Sequence, residues 1–280
     1  MIAALPSPFD LAFMQRALVG ATIVGVFAPM IGTYLVQRRL SLIGDGIGHV
    51  AFAGVGLGLL LNVQPEWSAL LLAVVGALAI EWLRSRRRAS GDLALALIFY
   101  SGIALGVLFA SRAGQLNGNL LQYLFGQPLS IDHDEILVIA RLGLVVVLAM
   151  FALRRPLFAV VTDEEWSRVA GLPVGFLNAL LAVITAFAIV AAMRIVGILL
   201  VAALMVLPVA SAQLLARSFR GTLVWAVAIG MFSVVSGLAI SWYWDLAPSG
   251  AIVLVAAGAF GIVSVAKRAT PRALRLEEHG

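Results

Sequence analysis

Long apolar runs alternate along this chain with short polar joints, and each run has the length of a membrane-crossing helix. About 20 apolar residues cover the ~30 Å of bilayer hydrocarbon when wound at 1.5 Å per residue. Nine spans are expected, at 13–37, 41–62, 67–83, 93–110, 136–153, 175–192, 195–216, 222–243 and 251–266. No water satisfies backbone groups at that depth, so runs of this length are helices rather than strands. The predicted fold is therefore an all-α polytopic membrane bundle of about nine transmembrane helices, or eight if 175–216 divides differently. It forms one domain over residues 1–280, with a polar tail at 267–280. Two shorter elements are expected between spans. Residues 120–124 form a short helix on one rim, and the loop at 157–173 carries one short amphipathic helix. Thr162 or Asp163 caps the start of that helix, acids fill its first turn, and Gly171 and Pro173 end it.

The run at 41–62, SLIGDGIGHVAFAGVGLGLLLN, breaks the apolar rule in one place. It carries Asp45 and His49. A helix turns about 100° per residue, so positions four apart point the same way. A carboxylate and an imidazole thus share one face of a hydrophobic span. Ionisable groups at such depth are expensive unless paired or hydrated, and they mark transport pathways. The pair suits zinc, manganese or iron, and equally a proton relay. A purely structural clasp between helices is the plainer alternative. Glycines 44, 46, 48, 54, 56 and 58 strip the helix of bulk, so that neighbouring helices, or an ion, can come close to the backbone.

Composition agrees with the pattern. Hydrophobic residues make up 62% of the 280 and charged residues 12%, with a mean hydropathy of +1.06. A soluble domain carries about twice that charge. The absence of cysteine excludes disulfides, thiolate zinc sites and iron–sulfur clusters. The net charge of +5 is not a nucleic-acid signal, because the basic residues lie in joints between spans. Of the 19 basic residues, only Arg16, Arg112, Arg141 and Arg194 fall outside the joints on one side. By the positive-inside rule that side is cytoplasmic, which places the amino end outside and the carboxyl end inside. No cleavable signal is expected, since residues 1–12 hold no Lys or Arg and no apolar core.

Other charged positions are weighed in turn. Glu81 lies close enough to Arg84 and Arg86–Arg88 to pair with them, as a structural contact. Arg141 falls inside a span and needs a partner or water. Asp132, His133, Asp134 and Glu135 form an acidic knot that reads first as a loop and helix cap, with weak metal binding as the alternative. Proline in spans at Pro29 and Pro208 kinks the helix and frees a carbonyl that neighbours re-satisfy. These two inward spans also echo one another weakly as a repeat. The only lysine is Lys267, in Ala-Lys-Arg, so a phosphate-binding Gly-Lys-[Ser/Thr] loop is excluded. The chain is not an enzyme by itself. Energy for any pumping comes from an ion gradient or from another polypeptide; the short helix in the 157–173 loop is either an interfacial helix lying on lipid or a docking helix for such a partner.

Several stretches resemble one family: RRLSLIGDGIGHVAFAGVGLG at 38–58, YLFGQPL at 123–129, DEEWSRVAGLPVGFLNALL at 163–181, MRIVGILLVAALMVLPVASAQLL at 193–215 and DLAPSGAIVLVA at 245–256. Together they resemble the membrane subunit of bacterial ABC importers for zinc and manganese, the ZnuB-like permeases, over roughly 13–267. The family pattern around the helical pair reads Gly-Asp-Ala-hydrophobic-Ser-His-Ala. This chain keeps Asp45 and His49 but has Gly46, Gly48 and Val50 at the variable places, so it lacks the serine hydroxyl beside the histidine. The resemblance implies a multi-pass permease of the bacterial cytoplasmic membrane, with zinc or manganese as transported ion and no resident cofactor. It implies a homodimer, a cytoplasmic ABC ATPase dimer that alone handles ATP, and an extracytoplasmic metal-binding protein. It also implies metal contact at Asp45 and His49, and ATPase coupling through Asp163, Glu164, Arg168 and Gly171. Siderophore or cobalamin permeases, a stand-alone proton-coupled cation transporter and a non-transporting scaffold are the alternatives.

Overall fold

Twelve helical segments in chain order make up the computed structural model, which describes residues 10–85, 91–114, 118–130 and 132–269. They are α1 (Ala12–Gln37), α2 (Ile43–Leu61), α3 (Pro65–Ser85), α4 (Gly91–Arg112), α5 (Gly118–Phe125), a 3-10 turn at Pro128–Ser130, α6 (His133–Thr162), α7 (Glu164–Val169), α8 (Val174–Ala192), α9 (Ile198–Leu215), α10 (Phe219–Trp244) and α11 (Pro248–Ala269). Among the described residues there is no strand. Eight of these helices are long and apolar enough to cross a bilayer. The ninth expected span is α9, and it is shorter. Residues 195–197, expected within it, belong instead to a turn, and α9 begins at Ile198. Gly20 of α1 packs on Ile195, so this turn lies roughly 12 Å along α1 from its start. The ninth crossing thus starts inside the bundle rather than at its rim. Arg86–Arg88 and residues 270–280 lie outside the described residues.

Burial sorts the helices. In α2 the span is 72% buried, against 22% in α4 and α11. The helix with the ionisable pair is therefore the most enclosed of the eight long spans. It packs chiefly on α4 and α3, and also on α9 and α8, while α1 packs on α10, α9 and α6. Fully buried large side chains come mostly from α1, α2, α8 and α9: Phe27, Ile31, Ile47, Leu181, Ile189 and Leu204. The outer faces of α3, α4, α6, α10 and α11 expose Leu71, Leu97, Leu144, Phe232 and Ile262. Large apolar groups pointing outward suit lipid tails.

Small residues let α2 sit so deep. A Cβ at Gly54 would collide with Ala69 of α3, one at Gly56 would meet the Gly106 carbonyl of α4 at 2.8 Å, and one at Gly102 would lie 2.9 Å from the His49 carbonyl. Contact between backbones replaces side-chain interdigitation here. Pro29 leaves the Gly25 carbonyl without its helical donor, and side-chain-free Gly230 of α10 approaches that oxygen. The buried Thr33 hydroxyl donates back to the Pro29 carbonyl at 2.9 Å. Buried Thr185 and Ser211 hydroxyls bond the carbonyl one turn back in the same way, which satisfies them without any neighbour.

One expected boundary moves. The span ending near 153 continues as helix through Pro156 to Thr162, so the loop expected at 157–173 shrinks to a short joint around α7. Leu157, Val160 and Val161 are buried. Their i, i+3, i+4 spacing gives the extension a core-facing stripe, and this outweighs the proline. Arg141 lies on the exposed face of α6.

Candidate functional site

Asp45 occupies the first turn of α2, where the helix N-terminus favours a negative charge. His49 follows one turn later on the same face, with its Nε2 3.6 Å from Asp45 Oδ1. The histidine side chain is 11% exposed and the carboxylate 33%, so the site opens on the Asp45 side. Phe99 of α4 stands edge-on to the imidazole, with ring centroids 4.3 Å apart. Across the helix, Gly48 packs on Ile198 and Gly44 on Met205, both of α9. The imidazole thus lies between the Phe99 ring and the Asp45 carboxylate. Among the described residues no third His, Asp or Glu joins the pair to make a metal-sized group. One chain offers one nitrogen and one oxygen donor.

Helix α7 lies at the arginine-rich end of the bundle, and each of its predicted residues has a definite place. Asp163 is the N-cap and accepts from the Trp166 backbone N–H at 2.9 Å. Gly171 has φ +81° and no neighbour within 4 Å, so its conformation, not crowding, calls for glycine. Glu164 joins α7 to the end of α1. Its carboxylate turns inward, accepting from Arg38 at 3.1 Å and from Arg168 at 3.2 Å. Arg38 caps the end of α1, its side chain only 5% exposed. The outward surface of α7 includes two large apolar groups, Trp166 64% and Val169 88% exposed, beside the exposed Glu165 and Arg168. Glu164 and Arg38 line a cleft of about 220 Å³ with Gln37, Arg39, Arg84, Val160 and Val161. Arg39, at φ 59°, makes the tight reversal from α1 into α2. The Glu164 contact therefore reaches the start of the Asp45 helix in a few residues. Glu81 and Arg84 form the expected structural pair, at 2.9 Å.

At the opposite end lies a cluster that the sequence reading did not assemble. Arg194, in the α8–α9 turn, pairs with Glu135 of α6 and lies 3.9 Å from Glu66 of α3. It also sits over the ring of Tyr123 of α5, whose hydroxyl donates to Glu66 at 3.2 Å. Burial, reinforced by the Glu66 carboxylate, pushes the Tyr123 phenol up to about 12, so it remains a donor. Glu135 also accepts from the backbone N–H of Asp132, the N-cap of α6. The acidic knot at 132–135 is, to that extent, a helix cap. The His133 side chain lies outside the described residues.

These features meet a consistent set of similarities. The profile of the ABC 3 transport family matches residues 10–267. The chain is 29% identical over 261 residues to the high-affinity zinc uptake system membrane protein ZnuB of Haemophilus influenzae, covering 93% of this chain and 98% of that one. It is 30% identical over 251 residues to the manganese transport system membrane protein MntC of Halalkalibacterium halodurans, covering 90% and 86%. Among solved structures, PsaBC from Streptococcus pneumoniae in complex with Fab superposes with a TM-score of 0.84 at 28% identity, covering 94% of this chain and 95% of that one. Helical architecture, the ionisable pair on a buried span and these likenesses agree: the chain is a membrane permease of the ABC 3 transport family.

Proposed function

We propose that this permease moves a divalent transition metal, zinc first and manganese next, inward across the bacterial cytoplasmic membrane. The reading rests above all on Asp45 and His49 sharing one face of the most enclosed long span. The relatives named for zinc uptake and manganese transport support it. Two copies of the chain about a twofold axis would bring two carboxylates and two imidazoles together. That set suits tetrahedral zinc or an expanded manganese shell, and its nitrogen donors disfavour calcium. An extracytoplasmic metal-binding protein delivers the ion to the side of Arg194, and the arginine-rich end faces the cytoplasm. There an ABC ATPase dimer docks on α7, with Trp166 and Val169 as its apolar contact. Asp163 and Gly171 shape that helix, while Glu164 and Arg168 transmit its motion through Arg38 to α2.

The test is uptake by the assembled transporter. Asp45→Ala and His49→Ala should abolish metal uptake while membrane insertion and ATPase association persist, because water replaces a ligand that binds more strongly. If either variant transports at the parental rate, the ion does not pass this helix.

A further inference from the structure

Three observations converge at the end of the bundle opposite the arginines. First, Arg194 is the shared partner of two carboxylates and a phenol ring that come from three separate elements, α3, α5 and α6. Its backbone carbonyl holds the same region, accepting from the Gln127 N–H at 2.9 Å. Second, the turn that carries Arg194 is pressed backbone to backbone on the segment after α5. A Cβ at Gly126 would lie 2.6 Å from the Gly197 nitrogen, and both glycines have positive φ. Third, the next residue, Ile198, packs on Gly48, the immediate neighbour of His49. Ile195, Val196 and Ile198 are all buried. The cluster, the turn and the wall of the His49 helix are thus one continuous contact.

We propose that Arg194 is the latch of a gate over the metal site: its ion pairs hold the α8–α9 turn and the α5 segment closed against α2, and their release opens the route to His49 from that side. The proposal rests on the reading that Asp45 and His49 receive the ion, and it adds what closes the path to them. The chemistry suits a reversible closure. Side chains of Arg194, Glu66 and Glu135 are 27–33% exposed, and partly exposed ion pairs are individually weak and screened by salt. Two carboxylates share one guanidinium, so breaking the latch leaves negative charge facing the arriving cation. The backbone contacts beneath carry no ionic strength dependence, so the closed turn re-forms around the same glycines.

The chain contains no cysteine, which makes a single introduced thiol a clean reporter. The experiment uses Ile198→Cys, with Val201→Cys as a second reporter, in the full chain within sealed cells. A membrane-impermeant thiol reagent is added from outside. Both positions are buried and should react slowly in the parent. Arg194→Gln or Glu135→Gln should speed modification by about tenfold, and raising salt should speed it in the parent, since local opening sets the rate. Arg194→Lys, which keeps a cation beside both carboxylates, should keep the rate near the parent value. The proposal is overturned if the rates stay within about twofold of the parent in the single variants, where opening would be unaffected. It is equally overturned if Arg194→Lys reacts as fast as Arg194→Gln, because plain loss of packing would then explain the effect. Should Arg194→Gln fail to reach the membrane, Glu135→Gln carries the same test. Labelling needs no transport, so this outcome is independent of whether His49→Ala abolishes uptake.

Discussion

At the residue scale, the same carboxylate chemistry serves three ends, and surroundings decide which. Asp45 is left partly open beside an imidazole, as the proposed ion-binding role requires. Asp163 spends its side chain on a backbone N–H at the start of α7. Glu164 neutralises a buried arginine. Each use makes its own prediction. Asp163→Ala should weaken α7 by about 1 kcal/mol, the usual loss of an N-cap, and Asp163→Asn or Asp163→Ser should restore it. Pull-down of the ATPase by membranes carrying each variant checks this, and equal recovery from the alanine variant would remove the cap from the docking account. For Glu164 the expectation is different. Glu164→Gln and Arg38→Gln should each leave ATPase association intact and lower metal uptake per ATP hydrolysed, because either change removes the ion pair that joins α7 to α1. The two changes combined should be no worse than either alone. Additive losses in that double variant would show that the two side chains act separately.

At the element scale, α2 is placed by what it lacks. Its glycines admit α3, α4 and α9 to backbone distance, and the phenyl ring of Phe99 then closes on His49. Gly54→Leu should therefore prevent stable assembly, since even a Cβ there collides with the Ala69 backbone. Gly258→Leu on α11 is the control, for nothing lies within 4 Å of that position. Thermal unfolding of the purified membrane protein followed by circular dichroism measures both. A Gly54→Leu protein as stable as the parent would mean that α2 and α3 separate easily, against the packing described. Helix α6 teaches a related point. A proline after two arginines did not end it, because three buried residues beyond the proline gained more from the core than the lost hydrogen bond removed.

At the scale of the whole molecule, the charges divide the bundle into two ends with different work. One end holds Arg38, Arg39, Arg84, α7 and the cleft between them. The other holds the Arg194 cluster. The Asp45–His49 pair lies between, linked to the first by the α1–α2 reversal and to the second by Ile198. The proposed transport route runs through this pair, with the Arg194 cluster closing it on one side. The proposed orientation rests on the positive-inside rule and is directly checkable. In this cysteine-free chain, Gly114→Cys should react with an impermeant reagent applied to intact cells, whereas Val169→Cys should react only after the membrane is opened. The reverse pattern would invert the molecule and with it the assignment of docking and delivery sides.

The sequence by itself determined whatever depends on neighbours within one helical turn. Apolar run length marks the spans, because the bilayer sets a length and forbids open backbone. The spacing of four puts Asp45 and His49 on one face whatever surrounds them. Asp163 at the head of α7 and Gly171 after it are likewise local choices. The Glu81–Arg84 pair is three residues apart and was legible for the same reason. The tertiary structure alone decided the contacts between distant segments. Glu164 meets Arg38 across 126 positions, Arg194 meets Glu135 across 59, and Tyr123 meets Glu66 across 57. Arg38, Glu66, Glu135 and Arg194 looked like ordinary loop or cap charges when read in order, and Glu164 like a coupling residue with no partner inside the chain. A helix fixes which side chains share a face, but only the packing of one helix on another, set here by bare glycine surfaces, fixes which faces meet.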